Sequence, residues 1–187
     1  MNPSDAPRAR VTGHRTAYDG RVLALHVDEV EEPGGVRATR EVVRHRGSVA
    51  MLAVSADDRV VLVRQYRYAV DEALWELPAG RLDAGETPEE GARRELVEEV
   101  GLEAETVEPL AVFYTTPGFC DELMRVFRAS GLRQVPPRPE EDERIEPRWF
   151  ELDEALAMVE RGEIKEGKTL VALLGEQSRR ARRGSSA

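Results

Sequence analysis

The stretch Gly80 to Leu102, GRLDAGETPEEGARRELVEEVGL, constrains the chain more tightly than any other. It is expected to open with a turn at Pro78-Ala79-Gly80, pass through a loop holding Gly85, and enter a helix with a full set of local start signals. Thr87 can cap, Pro88 suits the first helical position, and Glu90 stands where a capping box needs its carboxylate. Ala92, Leu96 and Val100 recur every four residues and make one apolar stripe, with Gly101 following as a C-terminal stop. A helix from Pro88 to Val100 is predicted.

The other face of that helix carries the chemistry. Glu95 and Glu99 are four apart and point the same way, and Glu98 lies one position round. Like charges at this spacing cost a helix roughly 0.2–0.5 kcal/mol per pair, so a cation among them is one explanation for their presence. Oxygen donors without nearby Cys or His favour Mg²⁺ or Mn²⁺ over Zn²⁺. A solvated face laced with ion pairs is the other explanation, since Arg94 and Glu98 are correctly spaced to pair.

Read as one pattern, Gly80, five residues, Glu86, seven residues, then Arg94-Glu95-Leu96-Val97-Glu98-Glu99-Val100-Gly101-Leu102 resembles the Nudix box at every fixed position. The resemblance implies an α/β fold, an α/β/α sandwich with a mixed sheet, and hydrolysis of a nucleoside diphosphate linked to another group. It further implies that Glu95 and Glu99 bind divalent metal with Glu98 assisting. On the same resemblance Ala79 lends its backbone carbonyl, while Glu86 and Arg94 hold the loop in shape.

The remaining composition agrees with a water-exposed globular chain. Its 187 residues suit one domain with an appendage, and a formal charge of −9 speaks against a general nucleic-acid binder, which needs a basic footprint. Cys120 is the single cysteine, so no intramolecular disulfide can form, which suits a reducing cytoplasm. The N-terminus has no hydrophobic signal core and no apolar run reaches membrane-spanning length, so no membrane partner is expected. His14, His26 and His45 are scattered without zinc spacing and are read as structural or surface residues.

Along the chain, residues 1 to about 12 are polar and read as mobile. Two alternating runs, RVLALHVDEV and VRATREVVRH, flank the turn Glu32-Pro33-Gly34-Gly35 and predict a hairpin. An isolated hairpin is marginal in water, so this antiparallel appendage, within residues 1–45, must lean on another surface. In the Nudix pyrophosphatases of nucleotide sugars that the chain resembles, a sheet at this place joins two subunits; a homodimer is therefore expected. The catalytic domain is expected to occupy 46–178. Within it, SVAMLAVS (48–55) and VVLVRQYRY (60–68) are almost continuously apolar, as a sheet covered on both faces requires. Arg67 closes the second run, and its planar fork suits either a solvated surface or a phosphate; the resemblance favours phosphate.

Beyond the box, Val107 to Thr115 and Leu123 to Ala129 predict strands, and Pro117-Gly118-Phe119 between them is by itself a turn. Fifteen residues past the box, this proline with Gly-Phe, a small residue and Asp-Glu resembles the marker of the ADP-ribose pyrophosphatase branch, most of whose members carry serine where this chain has Cys120. The resemblance makes Pro117, Gly118 and Phe119 substrate-binding, with Phe119 over the ribose or base; ordinary packing of Phe119 stays open. Residues 132 to 148 combine four prolines with Glu140-Glu141-Asp142-Glu143 and read, on composition, as a solvated loop. In the resembled branch this loop supplies the residue that activates water, ahead of a strand at Arg148-Trp149-Phe150, which makes Glu141 the base and Glu143 a further metal ligand. A helix capped by Asp153 over Glu154 to Arg161, a helix over Lys168 to Gln177 and a disordered basic tail over 179–187 complete the prediction.

Replacing Glu140, Glu141, Asp142 and Glu143 one at a time by the amide or alanine is expected to give one large loss of turnover, at Glu141. Four small losses in steady-state assays would refute that assignment.

Overall fold

The computed structural model describes residues 7–138 and 145–184. These fall into two compact units, Met1–Arg46 with Tyr114–Leu123, and Gly47–Phe113 with Met124–Ala187.

The first unit is a three-stranded antiparallel sheet of β1 (Arg10–Asp19), β2 (Ala24–Glu31) and β3 (Arg37–Arg44), in that order. The expected hairpin is therefore its β2-β3 half. Strand β1 begins inside the segment read as a mobile terminus, and its residues are almost all exposed. It joins the sheet through backbone pairing with β2 rather than through an apolar face, so no hydrophobic alternation announces it. Gly34 and Gly35 turn the chain between β2 and β3 at φ +90° and +81°, a region open to glycine. Outside β3, the backbone nitrogen of Val43 donates to the Phe119 carbonyl at 2.7 Å and that of Asp121 to the Val43 carbonyl at 3.1 Å. Pairing also brings His14 and His26, far apart in sequence, to a ring separation of 4.6 Å.

The second unit is a mixed α/β assembly. Its strands are β4 (Ser48–Ala53), β5 (Arg59–Arg67), β6 (Glu72–Glu76) and β7 (Ala79–Arg81), followed by helix α1 (Pro88–Val100). Strands β8 (Leu102–Tyr114), β9 (Leu123–Gln134) and β10 (Glu146–Glu151) and helices α2 (Leu152–Glu160) and α3 (Gly167–Gly184) complete it. The strands form two sheets, ordered β7-β4-β9-β8 and β10-β5-β6. Pairing of β4 with β9 is parallel and with β7 antiparallel, which makes the first of these mixed.

Alternation along β4 and β5 divides the core. Val49, Met51, Ala53, Val61 and Val63 pack with Ala92, Leu96 and Val100 of α1. Ala50, Leu52, Val54, Val60 and Leu62 pack with Ala155 and Met158 of α2 and with Ala172 and Leu173 of α3. Strands buried on both faces need apolar residues at consecutive positions, and β4 is buried at all six. The helices thus cover opposite faces, as the α/β/α expectation requires.

Helix α1 matches its prediction at both ends: Thr87 and Glu90 form the capping box, and Gly101 closes the helix at φ +64°. Elsewhere the structure corrects the boundaries. Pro78-Ala79-Gly80 is not a turn, because Ala79–Arg81 pairs with β4 as β7. Asp153 does not cap α2; the helix starts at Leu152, which is 2% exposed, and Asp153 sits in its first turn. Burying Leu152 draws the chain into the helix earlier than the polar signal suggests. Helix α3 runs on through the arginines expected to form a disordered tail. Arg179 pairs with Glu108 at 2.8 Å and Arg180 with Asp58 at 2.6 Å, long-range partners that hold the last turns. Among the described residues no helix is long and apolar enough to cross a membrane.

Candidate active site

The site begins with a conflict on α1. Its apolar stripe must enter the core, and the carboxylates beside that stripe are carried in with it: Glu95 is 8% and Glu99 6% exposed. A buried carboxylate needs hydrogen bonds or a cation. The structure supplies both backbone and side-chain partners. Glu99 accepts from the backbone nitrogen of Ala79 at 3.0 Å. Glu95 accepts from Arg94 at 2.7 Å, and Glu98 accepts from the same guanidinium nitrogen at 2.8 Å.

Arg94 is the hub of the loop that precedes the helix. It also donates to both oxygens of Glu86, at 2.9 and 3.1 Å, and to the carbonyl of Arg81 at 3.0 Å. Its bond to Glu86 is the main reason why its own pKa is raised, and the same bond holds the Glu86 carboxyl below its ordinary range. Because the folded value of Glu86 is the lower one, this pair stabilises the protein above the usual carboxylate pKa, and that support is lost as pH falls through the lowered value. Of the two explanations of the acidic face, the ion pair is present, since Arg94 meets Glu98 and also ties the loop to the helix, but the face is not a solvated one, because Glu95 and Glu99 are buried.

Gly80 owes its identity to Glu95. Its backbone is not in the left-handed region, but an added Cβ would stand 1.9 Å from one Glu95 carboxylate oxygen. Any side chain there would push Glu95 aside. Ala79, Gly80, Glu86, Arg94, Glu95, Glu98, Glu99 and Gly101 are thus gathered around one helix and the strand and loop that lead to it. Their donors are all oxygens, from carboxylates and backbone, which suits a hard divalent cation better than zinc.

Arg67 is held firmly. Its Nε and one terminal nitrogen donate to the two oxygens of Glu76, each at 2.7 Å, and Lys168 reaches the same carboxylate at 2.5 Å. Glu76 is 1% exposed; burial pushes its carboxyl up, but Arg67 and Lys168 outweigh that and hold it below the usual range. The sequence reading missed Glu76 and Lys168. They are 92 residues apart, and neither belongs to a local motif. Pro117, Gly118 and Phe119 belong to the first unit. There they line a cavity of about 440 Å³ with Arg40, Val42 and Tyr114, and Phe119 is exposed. Glu141 and Glu143 lie outside the described residues.

Comparison with known proteins decides the family. A model of the NUDIX domain matches residues 44–173, well over half of the chain. The chain belongs to the NUDIX family of hydrolases. It is 45% identical over 163 residues to an ADP-ribose pyrophosphatase of Mycobacterium tuberculosis (strain ATCC 25618 / H37Rv), covering 85% of this chain and 78% of that one. It is 40% identical over 158 residues to an ADP-ribose pyrophosphatase of Bacillus subtilis (strain 168), covering 83% and 85%. A crystal structure of an ADP compounds hydrolase superposes with a TM-score of 0.82 over 95% of this chain and 96% of the other at 24% identity, a likeness of fold. The box read from the sequence is therefore a NUDIX box in a NUDIX fold.

Gly80→Ala tests the arrangement of this NUDIX site directly. The backbone tolerates alanine and the clash is with the end of a flexible side chain, so the fold should persist by circular dichroism while displacement of Glu95 lowers turnover by about 10²-fold. An unchanged kcat would show that Glu95 has no fixed position to keep.

Proposed function

We propose that this hydrolase cleaves the diphosphate of ADP-ribose, giving AMP and ribose 5-phosphate, with Mg²⁺ as its working cation and Mn²⁺ as a substitute. The observation that carries the reading is the intact carboxylate face, Glu95 and Glu99 buried beside the Ala79–Gly80 backbone. Two relatives at 40% and 45% identity that are named ADP-ribose pyrophosphatases support the choice of substrate.

The chain's own residues divide the work. Glu95 and Glu99, with the Ala79 carbonyl and with Glu143 of the acidic sequence 140–143, would hold the cation. When bound, it neutralises diphosphate charge and acidifies water. Arg94 fixes Glu95 and Glu98 with one nitrogen and the loop with the rest, so the carboxylates do not swing freely. Arg67, clamped on one side by Glu76, presents its remaining terminal nitrogen to a phosphate oxygen. Glu141 takes a proton from the attacking water; the water oxygen bonds to one phosphorus and the bridging P–O bond breaks. Pro117, Gly118 and Phe119 shape the binding of the nucleoside or ribose. A cytoplasmic setting belongs to this reading, supported by the single cysteine, Cys120, which suits a reducing compartment.

Phosphorus NMR of the purified protein with Mg²⁺ and a panel of ADP-ribose, ADP-glucose, GDP-mannose and NADH checks the substrate. Conversion of ADP-ribose to two monophosphates well ahead of the others is expected. Preference for another member would move the activity within the same chemistry, and no cleavage of any member with Mg²⁺ or Mn²⁺ would leave only nucleotide binding.

We also assign a homodimer to the first unit, whose outer strand β1 has one edge unpaired among the described residues and whose surface exposes Val11, Tyr18, Val22 and Val36. Sedimentation equilibrium at micromolar concentration should give the mass of two chains; the mass of one would overturn the assignment.

A further inference from the structure

The chain has three histidines, and sheet pairing puts two of them on one face with an aspartate. In the register of β1 and β2, His14 stands opposite Asp28 and Thr16 opposite His26. His26 and Asp28 are two apart on one strand, so their side chains leave the same face, and directly opposed residues share that face. His14 Nδ1 lies 2.6 Å from one Asp28 oxygen, and the two imidazole rings meet edge to face at 4.6 Å. One donor atom from each residue falls within 4.8 Å of the other two. Asp28 is 4% exposed, whereas the His14 side chain is 48% exposed, so the carboxylate is fixed and an imidazole can move.

We propose that His14, His26 and Asp28 form a cation site for a borderline first-row divalent ion, of which Zn²⁺ and Co²⁺ are the probes. Two imidazole nitrogens and one carboxylate oxygen select such ions over Mg²⁺, which prefers an all-oxygen octahedral shell. The site shares no residue with the carboxylate face of α1. Around one tetrahedral zinc, with bonds of about 2.0–2.2 Å, donors stand roughly 3.3 Å apart, so the cluster must tighten, and rotation of the exposed His14 ring supplies that movement. The ion displaces the hydrogen now shared by His14 and Asp28 and staples β1 to β2.

Arg44 is the competing cation. Its guanidinium lies 3.3 Å from the second Asp28 oxygen and 3.4 Å from His26 Nδ1, and it also pairs with Asp121 at 3.2 Å. With two carboxylates to one guanidinium the local balance is already negative. Arg44, itself 43% exposed, keeps Asp121 when it yields its contact to His26.

Imidazole ¹H–¹⁵N spectra of the full chain, recorded with millimolar Mg²⁺ so that the oxygen-lined site is saturated, provide the test. Three ring systems are expected because the chain has three histidines. Stepwise Zn²⁺ should shift His14 and His26 with saturation at one equivalent and leave His45 in place. The same response should persist in a Glu95→Gln/Glu99→Gln chain, and Asp28→Asn or His14→Gln should weaken binding at least about tenfold, since even groups that only orient a ligand cost that much when removed. If no ring shifts below about 100 μM Zn²⁺, or if all three respond alike, the proposal falls, and the wild-type spectrum alone decides this should a variant fail to fold. Loss of the response in the Glu95→Gln/Glu99→Gln chain would equally overturn it.

Discussion

Burial of two carboxylates on a core helix is the constraint to which the catalytic unit answers. Glu95 and Glu99 flank the stripe Ala92, Leu96, Val100, so packing that stripe carries their charges out of water. Removing a carboxylate from water without partners costs several kcal/mol, enough to consume most of the stability of a domain. The neighbouring features compensate. Ala79 offers a backbone donor, Gly80 leaves space for a carboxylate, and Arg94 brings a guanidinium that also fastens Glu86 and the Arg81 carbonyl. A divalent cation held by the same carboxylates would answer the same need.

The strand that carries Ala79 is held from the opposite side of the sheet. The backbone nitrogen of Leu77 donates to Thr169 Oγ1 of α3 at 2.8 Å, and that of Met51 to the carbonyl of Pro78 at 2.9 Å. Lys168, the preceding residue on α3, meets Glu76. Residues 76 to 78 therefore fix β7 against α3 and β4, and β7 in turn sets where Glu95 and Glu99 can stand. Glu76 links this scaffold to Arg67, so one buried carboxylate positions a surface arginine through two parallel hydrogen bonds. Removing either cation would leave Glu76 buried with half its compensation, a cost larger than any exposed ion pair here carries.

Local sequence was sufficient wherever a short segment contained its own cause. The extent of α1 follows from Thr87, Pro88, Glu90 and Gly101, all within reach of the groups they satisfy, and two-sided burial of β4 and of Val60–Val63 in β5 follows from their apolar runs, while the polar second half of β5 emerges towards solvent. The box glutamates declared themselves by spacing, because positions four apart share a helical face. The matching NUDIX model and the fold likeness agree with that reading.

Only the tertiary structure decided what depends on distant partners. Strand β1 has no apolar face and exists through pairing with β2; Ala79–Arg81 is a strand through β4; the last turns of α3 stand because Arg179 and Arg180 find Glu108 and Asp58. The meeting of Glu76 with Lys168, and of His14 with His26 and Asp28, likewise has no trace in linear spacing. The sequence by itself determined the capped, glutamate-bearing helix α1 and the family, since both rest on interactions and spacings within a few turns of chain. The structure decided how the charges around that helix are compensated, because an electrostatic partner need only be near in space.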